Sequence, residues 1–142
     1  FGIEPLTKSF TLGSFSFALG ERKINLKAAL LNQKIIAGLG NIYADESCFA
    51  AGILPSRKVC SLTDQEKKSL FGSIQAVIKL AIKKRGTTFS SFVDGQGKKG
   101  NFLPLLKVYQ RAEKKCRRCK LGIIKKIKLA GRGTHFCPGC QH

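Results

Sequence analysis

Carboxylates are scarce in this chain. Eight Asp and Glu stand against twenty-six Lys and Arg in 142 residues, giving a formal net charge of +18. A surplus of that size repels itself in the compact state unless an anionic partner offsets it. Nucleic acid is therefore the expected partner. Long apolar runs are also missing: none approaches the ~20 residues that span a bilayer. No charged segment followed by a short apolar stretch opens the chain, so no secretory leader is read. A polybasic membrane surface fits less well than nucleic acid, because no strongly amphipathic basic helix stands apart. Methionine is absent, the first position included. The chain is expected to be a piece of a longer polypeptide, with residues 1–9 an interdomain linker in which Pro5 restricts Glu4.

The charge is uneven. Residues 1–50 carry five basic and four acidic side chains, whereas residues 111–142 carry ten basic and one acidic. The C-terminal segment is thus the densest electrostatic contact for a polyanion. Six cysteines are present, and four fall into two Cys-x-x-Cys pairs near the C-terminus. Without a secretory leader, reduced thiols and a metal are a better reading than a disulfide framework.

The expected architecture is mainly α. Residues 10–19 are weakly helical at best, since Gly13, Ser14 and Ser16 interrupt the apolar positions. Residues 25–37 read as a helix capped by Asn25, and Asn41 to Ala51 as a second, stopped by Gly52. The strongest helix is Asp64 to Lys84. Thr63 and Glu66 have capping-box spacing, and Leu70, Ile74, Val77, Ile78, Ala81 and Ile82 form one stripe. Residues 87–103 carry three glycines and read as a long loop, a kind that is usually functional or disordered.

Cys116, Cys119, Cys137 and Cys140 form two knuckles separated by seventeen residues. Four thiolates complete a tetrahedral shell, so one structural Zn2+ is expected, with no open position for catalysis. A redox pair would need a βαβ context, which is missing. His135 and His142 are not needed as ligands. Between the pairs, Ile123 to Leu129 and Thr134 to Phe136 read as two strands joined by a Gly131-Arg132-Gly133 turn. This is a zinc ribbon. Arg132 at its tip can grip a phosphate bidentately; a solvated turn arginine is the plainer alternative.

The stretch Gly38-Leu39-Gly40-Asn41 invites comparison with nucleotide cradles. It lacks the third glycine of a dinucleotide fingerprint, follows a helix rather than a strand, and has no Gly-Lys-Ser/Thr. A joint where two helices cross closely fits better. The second helix would then begin at Asn41 with free N–H groups, a site suited to phosphate. On local sequence a plain cap and a phosphate contact are equally good readings of Asn41.

Four segments, LLNQKIIAGLGNIYADESCFAAGILPSR, GTTFSSFVDGQGKKGNF, VYQR and GRGTHFCPGCQ, together resemble the formamidopyrimidine-DNA glycosylase family, in order from about Gly2 to Gln141. The related endonuclease VIII group, acting on oxidised pyrimidines, shares the architecture, but the last segment is more similar to the formamidopyrimidine branch. The resemblance implies a helix-two-turn-helix domain over residues 10–110, with a loop at 87–103 that covers an everted base. A zinc finger follows over 111–142. It implies binding of damaged double-stranded DNA within base excision repair in the bacterial cytoplasm, by a monomer. Lys27, Asn41 and Arg132 would contact phosphates, and Tyr43, also counted among the DNA-binding residues, would support the turn together with Glu46.

The family's catalytic N-terminal proline, the glutamate after it and an assisting lysine belong to a preceding domain. None is found here: Phe1 is not that proline, and Glu4-Pro5 has the reverse order. The whole enzyme would be a bifunctional glycosylase and abasic-site lyase excising oxidised purines. This chain, lacking catalytic residues, is expected to be inactive in base excision. Two other readings remain open: a free-standing zinc-ribbon DNA-binding protein without catalysis, and a basic zinc-ribbon RNA binder.

Overall fold

The computed structural model describes residues 2–84 and 103–142. Among them, four helices precede a two-stranded antiparallel hairpin: α1 Leu12–Leu19, α2 Leu26–Leu31, α3 Asn41–Ala51, α4 Asp64–Lys83, β1 Lys125–Leu129 and β2 Arg132–Phe136. The mainly α architecture with a cysteine-bearing hairpin is as the sequence implied. No helix of the described residues is long and apolar enough to cross a membrane. The loop expected at 87–103 lies outside the described residues as far as residue 102.

The longest helix, α4, forms for the reasons its sequence advertises. Thr63 Oγ1 accepts from the Glu66 N–H at 3.0 Å, and Glu66 Oε1 accepts from the Thr63 N–H at 3.0 Å. These bonds satisfy two end groups that the helix cannot. Leu70, Ile74, Ile78 and Ala81 are buried along one stripe, which packs mainly on α3 and also on α1.

The structure corrects the reading of residues 10–19. They form α1, because Thr11 and Ser14 make a reciprocal cap rather than interrupting the helix. Phe15 and Leu19 are fully buried, and Phe15 lies 5.6 Å from the Phe10 ring and 5.9 Å from Phe71. The serines occupy the end and the solvent side, where a polar residue costs little.

The helix expected at 25–37 is shorter. Asn25 does cap it, accepting from the Ala28 N–H, but α2 ends at Leu31. Beyond it, Ile35 and Ile36 are buried by turns rather than by helix. Ile36 forms a parallel bridge with Ile3, which ties the N-terminal segment to the fold. The glycine joint is also not a helix crossing. Nothing lies within 4 Å of a Cβ built on Gly38 or Gly40. Gly38 is needed for its φ of +85°, in the left-handed region that suits glycine. Its N–H donates to Gln33 Oε1 at 2.7 Å.

Nearly every residue of α3 is buried, because α4 covers one side of it and β2 approaches another. The hairpin turns at Ala130-Gly131, whose φ values of 53° and 73° are both positive. Such a two-residue turn matches the twist of the strands it joins. The expected three-residue turn at 131–133 is thereby displaced: Arg132 pairs with Leu129 and opens β2.

Candidate nucleic-acid interface and metal centre

The two knuckles bring four sulfurs together. Cys116, Cys119, Cys137 and Cys140 hold their Sγ atoms within 4.8 Å of one another, with Cys116–Cys140 at 3.6 Å and Cys119–Cys137 at 3.7 Å. A tetrahedron with metal–sulfur bonds of about 2.3 Å has edges of about 3.8 Å, so the set fits zinc. The backbone supports thiolates there. N–H groups of Arg118 and Cys119 point at Cys116 Sγ at 3.3 and 3.4 Å, and that of Gly122 at Cys119 Sγ at 3.2 Å. The N–H groups of Gly122 and Leu121 hold the Cys119 thiol down at about 6. A Cβ on Gly122 would sit 2.6 Å from Cys137 Sγ, so the second knuckle closes only because position 122 is glycine. The chain carries one structural zinc site.

The centre is not an appendage. Cys116, Ile124 and Cys137 are buried with Val108 and with Phe49 of α3 in a small second core. The Arg118 guanidinium lies 3.9 Å over the Phe49 ring and donates to the Phe49 carbonyl at 2.6 Å. Gln141 joins the second knuckle to the helices: its Oε1 accepts from the Cys137 N–H and its Nε2 donates to the Ile53 carbonyl.

A polar network fixes the hairpin on α2 and α3. Lys27 is 0% exposed. Its Nζ donates to Asp45 Oδ1 at 2.5 Å, to Thr134 Oγ1 at 2.9 Å and to the Gly133 carbonyl at 3.3 Å. Burial pulls the ammonium below its ordinary pKa, while Asp45 opposes that pull. Asp45 Oδ2 accepts the His135 N–H at 3.0 Å and lies 3.0 Å from His135 Nδ1. The His135 ring packs edgewise on Tyr109 at 5.0 Å. Glu46, next in sequence, reaches elsewhere. Its carboxylate accepts the N–H groups of Lys107, Val108 and Tyr109 at 2.7–2.9 Å. Burial pushes that carboxyl above its usual value against the three donors, which favour the charge.

The residues singled out in the sequence therefore separate. Asn41 is the first residue of α3 rather than its cap. Gly40 precedes it and offers no side chain to the first-turn N–H groups. Asn41 Nδ2 donates to the Gly133 carbonyl at 3.1 Å, while its Oδ1 has no partner among the described residues. This bond places Asn41 beside the strand whose first residue, Arg132, is exposed. Tyr43 is buried, and burial pushes its phenol up to about 12. It lines a cavity of about 230 Å3 with Glu4, Pro5, Gly38, Ile78 and Ile82. Lys27 presents no ammonium to solvent, and the bonds described for it go to Asp45, Thr134 and Gly133. The sequence reading does not place Asp45 in this network, and takes Thr134 and His135 only as strand residues, with His135 not needed as a metal ligand. The network's only sequence signal is Asp45 itself, one of few acids, midway along an apolar helix.

Comparison with known proteins follows this division. Residues 1–93 match the family model described as the Formamidopyrimidine-DNA glycosylase H2TH domain, and residues 113–142 match a zinc finger found in FPG and IleRS. A formamidopyrimidine-DNA glycosylase of Listeria monocytogenes is 46% identical over 140 residues, covering 99% of this chain and 51% of the relative. One of Symbiobacterium thermophilum is 48% identical, with 99% and 46% covered. Among solved structures, the Lactococcus lactis Fpg in complex with DNA containing an abasic site superposes with a TM-score of 0.88. It is 38% identical, with 99% of this chain and 51% of that chain covered. The same enzyme with DNA containing FAPY-dG gives 0.86. The chain spans about half the length of the relatives it matches.

Proposed function

Because the chain belongs to the Formamidopyrimidine-DNA glycosylase H2TH domain family, we propose that it is the half of a base-excision glycosylase and abasic-site lyase that grips damaged duplex DNA. One observation carries the reading: the Asn41–Gly133 hydrogen bond sets the uncapped start of α3 next to the exposed Arg132. Helix N–H groups, a side-chain amide and a guanidinium then share one surface, a combination suited to successive phosphates. Asn41 and Arg132 make the contacts. Lys27 acts one step back, holding the strand that carries Arg132, and Tyr43 walls the cavity beside the turn. The domain order is helix-two-turn-helix followed by zinc finger.

The reaction itself belongs to the rest of the enzyme. Excision requires a nucleophile at the sugar carbon and an acid to assist departure. Of the two buried lysines among the described residues, Lys27 is held by a carboxylate and two further oxygens and Lys67 is paired with Glu21 at 3.2 Å, so neither is poised for attack. This chain alone is inactive in excision, and borohydride should trap no strong adduct with abasic DNA.

The test is binding to a duplex carrying an abasic analogue, measured against single-stranded RNA. Duplex preference is expected, with a steep salt dependence of about 0.9 in log–log slope per phosphate neutralised. Arg132→Ala and Asn41→Ala should each weaken binding irrespective of base sequence. Preference for the RNA, or unchanged affinity in both variants, would overturn the reading.

A further inference from the structure

A second group of basic residues, distinct from Asn41 and Arg132, gathers around residues 109–117. After Glu46 has bound the N–H groups of residues 107–109, the chain turns back toward the first knuckle. It encloses there a polar concavity of about 200 Å3. Tyr109, Gln110, Arg111, Lys114 and Arg117 are among its lining residues, and none of the lining residues is a carboxylate.

Two of the three cations are held in place by backbone carbonyls. Arg117 Nη1 donates to the Pro104 carbonyl at 2.9 Å and to the Leu106 carbonyl at 2.6 Å. Arg111 donates through Nη1 to the Lys107 carbonyl at 3.0 Å and through Nη2 to the Lys115 carbonyl at 3.1 Å. Carbonyls orient a guanidinium without neutralising it. Burial and the neighbouring Arg117 charge lower the Arg111 pKa, while Cys116 and Glu46 oppose that pull. Lys114 adds a third positive charge and forms no side-chain hydrogen bond among the described residues.

We infer that this concavity is an oxyanion site, which takes one phosphate group between Arg111, Lys114 and Arg117. The phosphate comes from a nucleic-acid backbone or from free phosphate; the chemistry that recognises it is the same. Tyr109 is the wall it shares with the His135 network, so a backbone phosphate there would extend the footprint beyond Arg132. In that form the inference rests on the proposed function.

The test uses the zinc-loaded chain and three proteins: wild type, Lys114→Glu, and Lys68→Glu as a control for net charge on the exposed face of α4. Inorganic phosphate and an abasic-analogue duplex are titrated separately, following the backbone amides of residues 109–115 by NMR and duplex affinity by anisotropy. Shifts with the duplex, together with a several-fold weaker affinity and a salt slope lower by about 0.9 in Lys114→Glu but not Lys68→Glu, support a backbone phosphate. Shifts with inorganic phosphate alone, lost in Lys114→Glu, support the site and assign it to free phosphate. If neither ligand moves these amides and the two variants behave alike, the site is overturned. Duplex binding by the wild type then still stands for the proposed function. Loss of wild-type duplex binding sinks that reading instead, and the phosphate titration still decides the concavity.

Discussion

Lys27 and Asp45, eighteen residues apart, meet at 2.5 Å with neither side chain exposed to solvent. Each spends its remaining bonding capacity on the hairpin. Lys27 holds Thr134 Oγ1 and the Gly133 carbonyl, and Asp45 holds the backbone and ring of His135. The pair is thus a joint between the helices and the strand that begins at Arg132.

Removing one member of such a pair leaves an uncompensated buried charge, a loss of about 3–5 kcal/mol. Lys27→Met should destabilise the chain by that amount in chemical denaturation. The double variant Lys27→Met/Asp45→Asn should recover part of it, since no charge remains buried. A direct phosphate contact by Lys27 would behave differently: Lys27→Met would weaken DNA binding and leave stability unchanged.

Glu46 makes the matching joint on the other side of α3. Replacing it with alanine strands three backbone N–H groups in a buried place, costing about 3 kcal/mol or more in total. Glu46→Gln should recover only part, because its amide nitrogen faces donors. Hydrogen exchange at Lys107, Val108 and Tyr109 reads this directly. Protection unchanged in Glu46→Ala would show that those groups find other acceptors.

What the sequence disclosed and what it hid follow from range. The metal site was legible because each knuckle is written in four consecutive residues, and α4 because its cap and stripe are both local. The Lys27–Asp45–His135 network was not. His135 lies ninety positions from Asp45, and a buried lysine in a chain with twenty-six basic residues resembles its solvated neighbours. The end of α2 was missed because Ile35 and Ile36 keep an apolar rhythm while turns, not helix, bury them. In α1, Ser14 breaks the apolar rhythm because its hydroxyl serves the cap, a role the rhythm alone does not show.

Acid should loosen the entry to α4. The Arg57 guanidinium, bonded to both Glu66 oxygens at 2.9 Å, holds the Glu66 carboxyl below its usual pKa. An acid with a depressed folded pKa stabilises the fold above its unfolded pKa, and that contribution fades as pH falls through the folded value. Stability should therefore decline as pH drops below about 4.3. Glu66→Gln should be less stable at neutral pH by about 1 kcal/mol and flatter across that acid range. Equal pH slopes in both proteins would remove the ion pair from the account.

Metal removal should separate the two cores. Zinc binding contributes roughly 10–16 kcal/mol to small four-cysteine units, far beyond what Val108, Ile124 and Phe49 can supply by burial. The helical core around Phe15, Leu30, Leu70 and Ile74 lies in a different cluster. A chelator, or Cys137→Ser, should therefore erase the Lys125–Phe136 pairing while α4 stays helical. Asp45 would then lose the His135 N–H and Lys27 would lose its two hairpin oxygens, so a partial loss of helical stability should accompany the hairpin. Two-dimensional NMR with and without chelator resolves the two modules residue by residue. Retention of the hairpin without zinc would mean that the Lys27–Asp45 joint, and not the metal, holds Arg132 in place.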